Sequence, residues 1–448
     1  MDTLALLKKY NVAAPRYTSY PTVPFWETDK FSEEQWLISV KNTFEDYKTE
    51  GISLYIHLPF CESLCTYCGC NTRITKNHGV EQPYINALIK EWDMYLNILG
   101  CKPKIKELHL GGGTPTFFSA NNLKKLINGI LEKCDQSDDA EFSFEAHPDN
   151  TTKEHLITLY QLGFKRLSFG IQDFDPKVQL MINRFQTPKQ VEEITELARN
   201  IGYTSINFDL IYGLPFQNID GLTETLNYVI KMNPDRIAFY SYAHVPWLKP
   251  GQRRYTEKDL PNSEVKFILY NLGKNTLIKA GYENIGMDHF AKKHDSLFVA
   301  AQKNTLHRNF MGYTHQHTQL LIGLGVSSIS DSYTAFSQNV KTVETYLERI
   351  EKCHFPIEKG HILSRKDLIL RKHIRNIMCD GKSLFHSGIP KTVHHKLVPL
   401  IEDGLVSLNE NQLNVTLKGK AFLRNICMAF DERLWEKETN NQIFSIAI

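Results

Sequence analysis

The sequence predicts an α/β protein: a partial six-stranded (β/α) barrel, preceded by an N-terminal leader and followed by a smaller, mostly helical, winged-helix-like domain. Three observations carry that prediction. Six β-rich runs alternate with longer amphipathic segments between residues 52 and 242. Each run ends in residues that are chemically reactive or conformationally special. Beyond about residue 361 the texture changes to helices around one short hairpin.

The leader (1–50), expected to cover the active-site opening, opens with "MDTLALLKKYNVAAPRYTSYP", which lacks the apolar stretch and small-residue cleavage site of a signal peptide. The β-rich runs are ISLYIHL (52–58), IKELHL (105–110), EFSFEA (141–146), RLSFGI (166–171), SINFDLIYG (205–213) and DRIAFYSY (235–242). Between them, stretches such as "EQPYINALIKEWDMYLNIL" and "NLKKLINGILEKC" repeat apolar residues at three- and four-residue spacing, the period of a helix buried on one face. Strand–helix alternation of this length implies a parallel sheet of right-handed βαβ units. The runs lead into a cysteine loop, Gly111-Gly112-Gly113-Thr114-Pro115, Glu145 and Gln172; the fifth carries Asp209 and the sixth reaches Ala243 and His244. In barrel-like α/β folds the active site lies at these C-terminal strand ends. The catalytic domain is expected over 51–360. In 361–448, a helix interrupted by Pro399, Gly404, a hairpin around Asn409–Gln412 and a closing helix read as the winged-helix-like unit.

Composition narrows the function. Of 448 residues, 52 are Lys or Arg and 50 Asp or Glu, so a formal charge of +2 offers no general attraction to nucleic acid or an anionic membrane. No run approaches the ~18 apolar residues of a spanning helix. Nine cysteines, odd in number and mostly irregular in spacing, argue against a secreted disulfide scaffold. The expected setting is the cytoplasm, where thiols stay reduced and can hold metal. The candidate recognition helix "KTVHHKLVPLIEDG" ends acidic and lacks a phosphate-binding stripe, so the C-terminal unit reads as a lid or packing domain.

Four of the nine cysteines fall between residues 61 and 70. Cys61, Cys65 and Cys68 form C-x3-C-x2-C, and Cys70 follows after Gly69. A structural zinc site usually draws cysteine pairs from two separated knuckles, and no second pair lies nearby. A ferredoxin-type carrier brings its fourth cysteine at another spacing. Three thiolates on a four-iron cluster would leave one iron open for chemistry.

C-x3-C-x2-C just after a first strand, with Tyr67 before the third cysteine and GGGTP after the second strand, resembles the radical S-adenosylmethionine (SAM) superfamily. The resemblance narrows to the oxygen-independent coproporphyrinogen III oxidases and spans nearly the whole chain. It rests on "PRYTSYP" (15–21), "YIHLPFCESLCTYCGC" (55–70), "GGGTPT" (111–116), "GIQDF" (170–174), "FDLIYGLP" (208–215), "GMDHFA" (286–291), "HRNFMGYT" (307–314) and "RNICM" (424–428). A related haem-chaperone branch shares the barrel and the three cysteines but lacks the fourth cysteine and the PRYTSYP leader; this sequence has both.

The resemblance implies a [4Fe-4S] cluster held by Cys61, Cys65 and Cys68, with Cys70 not a ligand. It implies one or two SAM molecules bound by Tyr55, Tyr67, Gly112, Gly113, Thr114, Glu145, Gln172, Arg184, Asp209, Ala243, Phe310 and Ile329. At Met311 some relatives carry Gln, and methionine offers packing without a strong hydrogen bond. His315 and His317, in a polar loop, read as solvated rather than as metal ligands. Cys70 and Tyr55 are the candidate catalytic side chains, and Arg16 and Arg308 the candidate contacts to substrate propionates. The implied reaction converts coproporphyrinogen III to protoporphyrinogen IX through a 5′-deoxyadenosyl radical. It calls for an electron donor to the cluster and a terminal electron acceptor, in a protein expected to be monomeric and free of nucleic acid and membrane. Two rivals stay open: a haem-delivery protein on the same scaffold, and an iron–sulfur sensor acting on DNA through the C-terminal unit.

Overall fold

The computed structural model describes residues 3–386, 388–436 and 444–446; the outermost ends of the expected leader and C-terminal unit lie outside them. All six expected strands form: Ile52–Leu58 (β1), Lys104–Gly112 (β2), Asp135–Ala146 (β3), Phe164–Gln172 (β4), Ser205–Tyr212 (β5) and Arg236–Ser241 (β6). They pair in parallel in chain order, and the intervening helices cover one face. Local chemistry sets the helix ends. Thr187 caps helix Pro188–Ile201 reciprocally with Gln190, and Pro188 occupies the first turn, where its missing N–H costs nothing. Helix Ala120–Leu131 buries Leu123, Leu126, Ile127 and Ile130, a single helical stripe.

Alternation along the strands separates two environments. Leu54, Ile56, Leu108, Leu110, Phe142, Phe144, Leu167, Phe169, Phe208, Leu210, Ile237 and Phe239 join the main apolar core. Their intervening neighbours, among them Tyr55, His109, Glu145, Ser168, Asn207, Asp209 and Tyr240, line cavities inside the curved sheet. A strand's period of two thus gives each strand a dry outer face and a polar inner one.

The sheet is larger than the sequence suggests. A four-residue strand, Leu321–Leu324, pairs in parallel with β1 on its free edge. Ile329–Asp331, Ala335–Asn339 and Ile357–Ile362 continue antiparallel beyond it, and His289–Ala291 and Glu283–Asn284 extend the β6 side. Leu321–Leu324 is buried along its whole length, so it shows no apolar–polar alternation to betray it.

A second core joins the two chain ends. Leu6, Leu7, Ala14, Tyr17 and Tyr20 of the leader pack with Leu370, Ile374, Ile377, Leu397 and Ile426. Helix Glu33–Tyr47 instead contributes Trp36, Val40 and Phe44 to the main core. The C-terminal unit places helices Arg365–Asp380 and Lys391–Glu402 beside a three-stranded antiparallel sheet, whose hairpin pairs Val406–Asn409 with Gln412–Val415. Pro399 does not interrupt its helix, contrary to the sequence expectation: it lies within the final turn, and Asp403 N–H still donates to its carbonyl at 3.1 Å. No helix among the described residues is long and apolar enough to cross a membrane.

Candidate active site

The chain leaves β1 through Pro59 into a two-residue strand, Phe60–Cys61, that pairs with Arg73–Ile74 and closes the cysteine loop. Phe60 anchors the entrance, buried against Tyr84, Phe117 and Phe118. The far side is tied to the segment after β4: Thr66 Oγ1 donates to the Met181 carbonyl at 2.9 Å, and Asn183 Nδ2 to that of Leu64 at 2.7 Å. This tether places Arg184 beside the thiols. Its guanidinium donates to the Gly170 carbonyl, to Gln186 Oε1 at 3.2 Å, and toward Cys65 Sγ at 3.7 Å.

Cys61, Cys65, Cys68 and Cys70 line one cavity of about 280 Å³ together with Tyr67, Gly112, Gly113, Thr114, Glu145, Gln172, Arg184 and Asp209. Burial pushes the Cys61 thiol up to about 12, against the opposing hydrogen bond with Thr114 Oγ1 at 3.3 Å. Cys70 hydrogen-bonds Cys68, which lowers Cys68 and raises Cys70. Among the described residues no three His, Cys, Asp or Glu side chains close on a single-ion site.

The glycine turn is shaped by close backbone approach. Gly113 N–H donates to Leu58 O at 2.8 Å and Thr114 N–H to Phe60 O at 3.0 Å, so the turn lies flat against the start of the cysteine loop. A Cβ at Gly113 would stand 2.6 Å from the Pro59 carbonyl, and Gly112 adopts φ +115°, which favours glycine. The residues present fit the implied groups: soft thiols for iron, and a cation, carboxylates and a bare backbone turn for an amino-acid-like ligand.

The inner wall holds a polar chain whose two histidines, His57 and His109, sequence reasoning missed. His57 Nε2–H donates to the Asn71 carbonyl at 2.9 Å, leaving Nδ1 to accept the Tyr55 hydroxyl at 3.0 Å. Burial lowers the His57 pKa, in keeping with this neutral form. His109 stacks on Tyr55 and lies 3.6 Å from Glu145, which also accepts Gly112 N–H at 3.1 Å. Asp209 accepts from Ser168 at 3.1 Å and Asn207 at 2.8 Å; burial and then the neighbouring Glu145 push its carboxyl up to about 6. His57 lies two residues from Tyr55, and His109 two from Gly111. Strand alternation alone could have put both on the inner face.

A second cavity, of about 450 Å³, is lined by Tyr55, His57, Thr18, Phe310, Met311 and Ile329. It shares Gly69, Cys70, Gly112 and Glu145 with the first, so exposed Cys70 stands at their junction. Ala243 lines neither; Gln252 Nε2 bridges its carbonyl to that of Tyr67 at 3.2 Å each. Arg16 and Arg308 also lie outside both linings. Arg16 donates to the Ser241 carbonyl at 3.0 Å and sits 5.7 Å from the Tyr240 ring, which lines the cysteine cavity. Arg308 lies 4.4 Å over the Tyr313 ring and is 9% exposed; its Nε and Nη1 have no protein partner. His315 contacts Ser296 and Glu141, and His317 packs on His307.

A model of the radical SAM superfamily matches residues 55–229. The chain is 39% identical over 460 residues to the oxygen-independent coproporphyrinogen III oxidase of Synechocystis sp., covering 99% of this chain and 97% of the relative. The proteins of that name in Helicobacter pylori and Escherichia coli are 40% and 38% identical over 438 and 450 residues. These alignments cover 95% of both chains, and 98% of this chain and 97% of the relative, respectively. The solved structure of coproporphyrinogen III oxidase from Escherichia coli, described as a radical SAM enzyme, matches with a TM-score of 0.89 at 36% identity, over 96% of this chain and 98% of that one. Similarity that runs from the leader through the cysteine loop to the C-terminal unit settles the family: the chain belongs to the oxygen-independent coproporphyrinogen III oxidases of the radical SAM superfamily.

Proposed function

We infer that this chain decarboxylates two propionate side chains of coproporphyrinogen III to vinyls without oxygen, giving protoporphyrinogen IX in haem biosynthesis. The observation that carries this reading is the convergence of C-x3-C-x2-C, the glycine turn and Arg184 on one cavity at the C-terminal ends of the parallel strands. When bound, the cluster and SAM supply a 5′-deoxyadenosyl radical able to take a hydrogen atom from the propionate carbon β to the carboxylate, with CO2 and one electron then lost.

The protein's part is to bind, orient and shield. Cys61, Cys65 and Cys68 would hold iron through sulfur, with the Arg184 guanidinium beside Cys65. Arg184 suits a ligand carboxylate, while Glu145 and Asp209 suit hydroxyls or an ammonium. Tyr67 and the glycine turn wall the cavity, and Gln172 closes it at a backbone φ of +67°. Tyr55, fixed by His57, and Cys70, at the junction of the cavities, face the second chamber, where the substrate would enter. Phe310, Met311 and Ile329 make one wall of that chamber; its volume suits either part of the substrate or a second SAM. Counting labelled SAM per chain by equilibrium dialysis decides between one and two. Arg308, with two buried N–H groups unpaired, and Arg16 beside it suit propionate carboxylates.

The test is an anaerobic assay with a one-electron reductant, SAM and coproporphyrinogen III, followed for CO2 and vinyl product. Release of two CO2 per macrocycle supports the reading; tight haem binding with no CO2 release overturns it.

A further inference from the structure

Inside the barrel, beneath the side chains that meet the cysteine cavity, one row of a deeper layer forms a continuous chain. Tyr55, His109, Ser143 and Arg166 are register partners on β1, β2, β3 and β4, so strand pairing sets them side by side on the inner face. Glu145 stands two residues beyond Ser143 on β3, one layer nearer the strand ends.

The row has a direction. At its far end Glu141 accepts from Arg166 Nε at 2.9 Å, and the same guanidinium donates from Nη2 to Ser143 Oγ at 3.0 Å. Arginine only donates, so the Ser143 hydroxyl sends its own proton elsewhere. Ser143 is 1% exposed, and among the described residues the acceptor within its reach is His109 Nδ1, at 2.8 Å. A buried hydroxyl proton without that acceptor would be left unpaired at a cost. Nδ1 is therefore the accepting nitrogen, and the neutral ring carries its proton on Nε2. That N–H faces Glu145 Oε1 at 3.6 Å, while Gly112 N–H donates to Oε2 at 3.1 Å. The opposite tautomer would turn a lone pair on the carboxylate. Stacking on Tyr55, with ring centroids 6.0 Å apart, keeps the imidazole in place. The Glu145 side chain is 43% exposed, so these two N–H groups set its direction.

We propose that His109 is a positioning residue for the reaction: Ser143 and Arg166 fix its tautomer, and its Nε2–H holds the Glu145 carboxylate toward bound SAM. The inference rests on the reading of Glu145 as a SAM-binding group. At 3.6 Å the contact is longer than a hydrogen bond and acts through charge and dipole. His109 lines the second cavity and a smaller one of about 80 Å³ inside the barrel, but not the cysteine cavity, so it reaches a ligand there through Glu145. Ser143 lines none of the three, which makes it a probe of the tautomer free of direct contact.

The experiment measures the affinity of the full-length, cluster-loaded protein for labelled SAM by equilibrium dialysis, without reductant, so that no turnover intervenes. Ser143→Ala frees the ring to take either tautomer and should weaken binding about tenfold, the worth of one hydrogen bond to a charged group. His109→Phe keeps the stack on Tyr55 without an N–H and should weaken it at least as much. His109→Gln should bind within about threefold of wild type, because an amide N–H can face Glu145 whatever lies behind it. Adding Ser143→Ala to His109→Gln should change nothing further, since glutamine has no tautomer to lock. A Ser143→Ala defect that persists in the His109→Gln background would assign Ser143 to packing and overturn the proposal. So would folded Ser143→Ala and His109→Phe proteins that bind SAM like wild type while Glu145→Gln binds it weakly; Glu145 would then keep its role and His109 lose its own. Wild-type affinity in Glu145→Gln would instead remove the underlying reading of Glu145, and the proposal with it.

Discussion

Gly113→Ala probes the coupling between the glycine turn and the cluster loop. The added Cβ would stand 2.6 Å from both C and O of Pro59 and 2.8 Å from the Phe60 carbonyl oxygen. Ordinary contact begins near 3.4 Å, so the two backbones must part by about 0.8 Å. Neither side yields freely: the turn is bonded to Leu58 O and Phe60 O, and Phe60 is locked among three aromatic rings. Overpacking of this kind costs about 1–3 kcal/mol. The displacement falls either on Cys61, next in chain to Phe60, or on the turn itself, and a misplacement near 1 Å costs about 100-fold in rate. We expect near-normal iron content and cluster absorption after anaerobic reconstitution, an unfolding free energy lowered by that cost, and deoxyadenosine release reduced about 100-fold. Wild-type stability together with wild-type deoxyadenosine release would refute the reasoning, because it would show that the turn has room to spare.

Three other expectations are independent of this one. Alanine at Cys61, Cys65 or Cys68 should each abolish the cluster, measured by iron content, while Cys70→Ser should keep iron and SAM binding yet lose most CO2 release; iron loss in the serine variant would make Cys70 a ligand. Arg308→Met removes buried N–H groups that have no hydrogen-bond partner, so it should raise the unfolding free energy by about 1–3 kcal/mol while weakening coproporphyrin III binding; unchanged binding would exclude Arg308 from the substrate site. Glu141 is opposed by burial but held down to about 2 by Arg166, Arg236 and His315. A carboxyl lowered on folding stabilises above its unfolded value near 4.5 and ceases to do so as pH falls through about 2. At 1.36 kcal/mol per pH unit that is on the order of 3 kcal/mol at neutral pH. Glu141→Gln should therefore be less stable than wild type at pH 7 and indistinguishable near pH 2, as read by denaturant midpoints across that range.

Local chemistry was enough to reveal the six parallel strands, the cysteine spacing and the glycine turn. A strand's alternation and a helix's stripe are written within about ten residues, and thiols three and four positions apart can act together whatever surrounds them. The hairpin at Asn409–Gln412 was legible for the same reason. Contacts between distant segments were not. Arg184 reaches Cys65 across 119 positions only because Thr66 and Asn183 tie two loops together. Leu321–Leu324 carries no pattern of its own, since burial along its whole length removes the alternation that marks a half-exposed strand. The leader reads in sequence as a cover for the active-site opening, and nothing in its pattern shows that Leu6, Tyr17 and Tyr20 pack into the core of the C-terminal unit. Lys266 and Arg424, 158 positions apart, have nothing in the sequence to link them, yet they line one cavity. Their juxtaposition belongs to the tertiary structure, because electrostatic crowding depends on distance in space and on the water excluded there, neither of which a linear spacing encodes.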